Sequence, residues 1–119
     1  MYAVGLRRLG ADQKLVDRII EQTPVPAAPQ GLEPVADPRP TLTWEPAALP
    51  FPFTYRVDVV QVFDANIHTV LHTVEAIPSS ATTLRVPAPL GRGTYYWTLS
   101  VVDAFGNRSR SKEAGFLVE

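Results

Sequence analysis

Two histidines, His68 and His72, are the only imidazoles in the chain. At a spacing of four on a helix they could share a metal ion. On a strand they share a face but stand roughly 13 Å apart, at a rise of about 3.3 Å per residue. That is too far for one ion, and no third ligand type clusters beside them, so they read as two exposed strand histidines. The carboxylates Glu45, Asp58, Asp64 and Asp103 are scattered over different segments. Paired carboxylates can come from distant positions, but Asp64 and Asp103 sit in turn-like sequence, where an Asp bonds its own backbone. No serine lies in a Gly-x-Ser-x-Gly elbow and no glycine-rich phosphate loop occurs. No catalytic residue, metal ligand or cofactor is expected.

The remaining chemistry is recognition. Arg108, Arg110 and Lys112 alternate with serines, so on one extended strand their charges share a face. Such a stripe could contact an acidic polymer, such as an anionic polysaccharide; it could equally be a charged edge that discourages strand pairing. Phe51, Phe53, Tyr96 and Phe105 are candidate exposed aromatics that could stack on sugar rings, or they could fold over the ends of the domain. Phe105 is the most suggestive, because it falls in a turn and loops at the end of a β-domain commonly carry function. Phe105, Arg108, Arg110, Lys112 and Tyr96 are therefore the candidate partner or carbohydrate contacts.

Composition bounds these readings. A chain of 119 residues that is 45% hydrophobic suits one globular domain. The net charge of −1 gives no broad attraction to nucleic acid or anionic membrane. Without cysteines there is no disulfide or thiolate chemistry, which does not by itself assign a compartment. No apolar run approaches the ~20 residues that span a bilayer. Residues 1–22 lack the apolar centre and small-residue cleavage site of a signal peptide.

The elements that must position these groups are strands. Thr94 to Val102 is dense in strand formers. Alternation puts Tyr95, Trp97, Leu99 and Val101 on one face and Tyr96, Thr98, Ser100 and Val102 on the other. Before it run strand-like segments at Leu32–Val35, Thr41–Glu45 (Leu42 and Trp44 inward), Phe53–Val62 (Tyr55, Val57 and Val59 inward, Arg56 and Asp58 outward), His68–Ala76 and Thr82–Val86. After it comes Lys112–Val118, with Phe116 and Val118 inward. Six of the twelve prolines lie in residues 24–40, which makes that stretch extended and semi-rigid. Residues 1–23 form an extension or linker in which Leu15, Val16, Ile19 and Ile20 recur with helical period, predicting a short helix over 12–22 capped by Asp12. The rival reading takes Tyr2-Ala3-Val4, followed by Gly10, as the tail of a preceding β domain and the rest as a linker.

Leu90-x-x-Gly93-Thr94-Tyr95-Tyr96-Trp97, then Val102-Asp103-Ala104-x-Gly106-Asn107, resembles the sixth strand and following turn of bacterial fibronectin type III domains. Pro29-x-Gly31-Leu32, Leu42-Thr43-Trp44 and Tyr55-x-Val57-x-Val59 match the first three strands in order. The resemblance covers 24–119. It implies an all-β fold: a seven-stranded antiparallel β-sandwich, immunoglobulin-like in architecture. It also implies a corner tyrosine, for which Tyr95 and Tyr96 compete. The function it implies is that of a non-catalytic spacer or protein-interaction module of a bacterial envelope or secreted protein, outside the cytoplasm. Its partners would be proteins, neighbouring domains or a polysaccharide, with no nucleic acid and no membrane insertion by this segment. The family's integrin-binding Arg-Gly-Asp is absent from the turn. The alternative function is carbohydrate or cell-wall binding.

Overall fold

The computed structural model describes residues 23–119; the helix expected over 12–22 lies outside them. The described chain is an all-β sandwich. Its strands are β1 (Pro26–Ala28), β2 (Glu33–Val35), β3 (Thr41–Trp44), β4 (Phe53–Asp64), β5 (Ile67–Pro78), β6 (Thr83–Arg85), β7 (Gly93–Asp103), β8 (Arg108–Arg110) and β9 (Ala114–Val118). A small sheet has the order β1-β3-β6. A large six-stranded sheet has the order β2-β9-β7-β4-β5, with β8 also on β7.

Nine strands stand where seven were expected: β1 and β8 lie outside the expected segments Leu32–Val35 and Lys112–Val118 and were missed. Between β1 and β2 the chain passes Pro29, Gly31 and Leu32, the last two with positive φ. The chain leaves the small sheet there and resumes as β2, which runs parallel to β9. The sandwich is therefore not wholly antiparallel. Proline supplies no ladder donor, which favours a crossing at this point. A bulge separates β8 from β9, which begins at Ala114, two residues later than the expected Lys112. Ser100 pairs with Arg110 and Trp97 with Ala114, so Thr98 and Leu99 face three residues, Ser111, Lys112 and Glu113. The Ser111 hydroxyl receives the Leu99 N–H at 2.9 Å and donates to the Lys112 carbonyl at 2.7 Å, which satisfies the break.

The alternation read from the sequence places the core correctly. Leu42, Trp44, Tyr55, Val57, Val59, Tyr95, Trp97, Leu99, Val101, Phe116 and Val118 are all buried between the sheets. Leu84 is half-buried against them. Each large aromatic is tied at its polar end, as burial of such groups requires. Trp97 Nε1 donates to the Pro29 carbonyl at 2.9 Å and Trp44 Nε1 to that of Ala81 at 3.1 Å. The Ala47 N–H donates to the Tyr55 hydroxyl at 2.8 Å. Of the two competing tyrosines, Tyr95 holds the corner: its hydroxyl donates to the Gly91 carbonyl at 2.6 Å and its ring stacks on Phe116.

The β4–β5 hairpin is the longest element, with twelve residues in each strand. Its pairing shifts register at three places. One shift surrounds Ala76, which has a φ of 56°. Another surrounds Leu71, between the pairs Val59–His72 and Val60–Val70.

Candidate functional site on the outer face of the large sheet

The outer face of the large sheet is built from the residues of β4 and β7 that alternate with the core. Register aligns them in rows. Arg110, Ser100 and Arg56 form one row; Thr98, Asp58 and Thr73 form the next; Tyr96, Val60 and Val70 form a third. Thr98 and Ser100 are each only 2% exposed although they point away from the core. Ser100 lies between Arg56 and Arg110 in its row, and Thr98 lines a hollow with Arg56, Arg108 and Arg110. This hollow is a surface depression of about 250 Å³ lined by Arg56, Asp58, Val60, Val70, Thr73, Tyr96, Thr98, Arg108 and Arg110.

Its charge is lopsided. Asp58 is engaged on two sides, accepting from Thr73 Oγ1 at 2.6 Å and lying 3.3 Å from Arg56 Nε. Arg56 also reaches toward Glu75 at 3.8 Å. Arg108 and Arg110 take part in none of the ion pairs among the described residues. Three guanidinium groups thus face one carboxylate in the lining. Beside them, burial holds the Tyr96 phenol above its ordinary value; the nearby Glu113 carboxylate adds to this and Arg110 opposes it. The phenol is thus a neutral hydrogen-bonding group at neutral pH. Such a surface can receive an anion through charge-assisted hydrogen bonds.

The structure brings Tyr96, Arg108 and Arg110 together but not the other two candidates. Lys112 falls in the bulge and does not continue the arginine stripe; it lines a separate groove of about 310 Å³ with Thr23, Pro24, Val25 and Gln30. The three charges therefore do not share one face as uninterrupted alternation predicted. Phe105 is 62% exposed at the tip of the β7–β8 turn. Seven residues of β7 separate that turn from Tyr96, about 23 Å at a strand's rise. Phe51 and Phe53 pack against the core, Phe53 edge-on to Tyr55. These aromatics form no shared sugar-stacking platform.

Arg56, Thr73 and Thr98 are not among the contacts the sequence suggests, and Asp58 figures there only as one of the scattered carboxylates. The outward placement of Arg56 and Asp58 was visible from alternation, but their adjacency to Arg110 depends on the β4–β7–β8 register. His68 and His72 do not share a face either. His68 pairs with Val62 on the outer side and lies edge-on to Tyr96, centroids 5.7 Å apart, whereas His72 pairs with the core-facing Val59. The bulge at Leu71 reverses the alternation between them. Among the described residues no group of three or more His, Asp or Glu could hold a metal ion. The acids of the turns serve the backbone. Asp103 accepts from the N–H groups of Phe105 and Asn107 and from the Asn107 side chain, and Asp64 from the N–H groups of Asn66 and Ile67. No helix among the described residues is long and apolar enough to cross a membrane.

No family model and no curated protein matches this chain. Among solved structures it is similar to CopC from Methylosinus trichosporium OB3b, at 15% sequence identity and a TM-score of 0.49, over 81% of this chain and 93% of that one. A likeness of that size bears on no residue of the site.

Proposed function

We propose that this chain is a non-catalytic protein-interaction module that receives an acidic segment of a partner protein on the outer face of its large sheet. The observation that carries the reading is the depression in which Arg56, Arg108 and Arg110 stand around the small residue Thr98 beside Tyr96. The sandwich supplies the rigid rows; the arginines supply charge and forked donors. The sequence resemblance adds the setting, a bacterial envelope or secreted protein in which such a module also spaces neighbouring domains. Carbohydrate binding is the second reading, favoured by the exposed Phe105 alone.

The test is a titration of the chain with a fluorescent oligoglutamate peptide, an oligouronate and a neutral glucan, in low and in physiological salt. Saturable peptide binding that weakens with salt and falls at least tenfold in Arg108→Glu/Arg110→Glu supports the reading. Glucan binding lost in Phe105→Ala would replace it with the carbohydrate reading. Absence of peptide binding in low salt would remove it.

A further inference from the structure

The large sheet ends on one side in β5, and the apolar residues exposed along and beside this edge include Ile67, Val70, Leu71 and, across the hairpin, Phe63. From Ile67 to Ile77 the strand contains no proline and no lysine or arginine, and Glu75 is its one carboxylate. Among the described residues no strand pairs with the outer side of β5, and an edge of this length presents a row of backbone groups open to pairing, the arrangement that charge, proline or brevity ordinarily prevents.

We propose that β5 pairs antiparallel with β5 of a second copy of this chain, about a two-fold axis passing between Leu71 and His72. Two observations select a second copy as the occupant. The first is length. The other outermost strands among the described residues are β1, β2, β6 and β8, each of three residues, and the first two contain Pro26 and Pro34. None can cover twelve residues of β5, so the matching edge on this molecule is β5 itself. The second is self-complementarity. Turning the strand about that axis sets His68 opposite Glu75, Val70 opposite Thr73 and Thr69 opposite Val74.

Each of these pairs lies on one face of the sheet. His68, Val70 and Thr73 align with the outward-facing Val62, Val60 and Asp58, and Glu75 is on that side beside Arg56. Val74 and Thr69 align with Val57 and Gln61 on the other side. His68 and Glu75 are an odd number of residues apart, so in a regular strand they would point opposite ways. The bulge at Leu71 puts them on the same side, and in the dimer it sits at the axis, leaving regular ladder on both flanks. An imidazole then meets a carboxylate at each end of the interface, and Val70 leaves water. The pairing closes after two copies and creates no new edge of β5. It rests on observations other than those behind the acidic-partner reading, although Val70 and Thr73 of β5 also line that depression and Glu75 lies beside Arg56.

The test is sedimentation equilibrium of the full chain from about 1 μM to about 1 mM, the range in which a weak to moderate dimer dissociates. A monomer–dimer equilibrium is expected. Glu75→Lys should weaken it at least tenfold while the thermal midpoint extrapolated to low concentration stays unchanged, and His68→Glu combined with Glu75→Lys should bring it back to within about threefold of the native value. The chain has no cysteine of its own, so Val70→Cys mixed with Thr73→Cys should give a crosslinked heterodimer, whereas Val70→Cys alone should not. A monomer over the whole range, open-ended oligomers, or a dimer indifferent to Glu75→Lys and to the cysteine pairing would overturn the proposal.

Discussion

The two faces of β7 are equally hidden from water at their centre, yet in different surroundings. On the inner face Trp97 and Leu99 are sealed by apolar neighbours from the opposite sheet. On the outer face Thr98 lines a depression with Arg56, Arg108 and Arg110, and Ser100 lies between Arg56 and Arg110 in register. Inner burial is held by close packing and resists change. The outer face is bordered by long side chains that can swing aside for a ligand. One strand therefore carries core residues on one side and, in the function proposed above, the floor of the recognition surface on the other.

The comparison breaks most sharply at Trp97. Trp97→Ala should cost about 3–5 kcal/mol, because it empties the centre of the core and orphans the Pro29 carbonyl; Thr98→Ala, its outer neighbour, should cost about 1 kcal/mol or less. Thermal or urea unfolding of the two variants measures the gap, and similar losses would show that both faces bear load. Asp103→Ala comes next. It removes the acceptor of three hydrogen bonds in the β7–β8 turn, two of them from backbone N–H groups, for a loss of about 1–3 kcal/mol. The double change Arg108→Glu/Arg110→Glu should leave stability within about 0.5 kcal/mol while abolishing acidic-peptide binding, the opposite signature to Trp97→Ala.

A pH titration sharpens the same contrast. Burial raises the Tyr95 hydroxyl above its ordinary value of 10.0. Its neutral form is favoured in the folded state, so this contribution is complete below pH 10.0 and is lost as pH rises through the higher folded value. Unfolding curves should therefore steepen toward instability in alkali, and Tyr95→Phe should flatten that dependence at some cost in neutral stability. A small effect of either sign belongs to Ala76, which occupies the left-handed region at a φ of 56°. Ala76→Gly relieves that conformation but loosens the unfolded chain, so the net change should stay within about 1 kcal/mol.

The inner face was legible in the sequence because it obeys strict alternation: Tyr55, Val57 and Val59, then Tyr95 to Val101, all fall where a period of two puts them. Turn chemistry was legible too, since Asp64 and Asp103 have backbone donors within four residues. What was hidden lies at bulges and across strands. The extra residue among Ser111, Lys112 and Glu113 diverts Lys112 from its arginine neighbours, and the one at Leu71 separates the two histidines. Neither bulge carries a glycine or proline to announce it. Arg56 meets Arg110 through a three-strand register set by backbone pairing, which no local pattern encodes.

The central claim is that the outer face between β4 and β8 receives an acidic segment. Amide chemical-shift mapping of the chain during titration with oligoglutamate tests it most directly. The account predicts saturable shifts centred on Arg56, Tyr96, Thr98, Ser100, Arg108 and Arg110 that vanish at high salt. Shifts centred instead on Phe105 or on the groove beside Lys112, or no shifts at all, would contradict it.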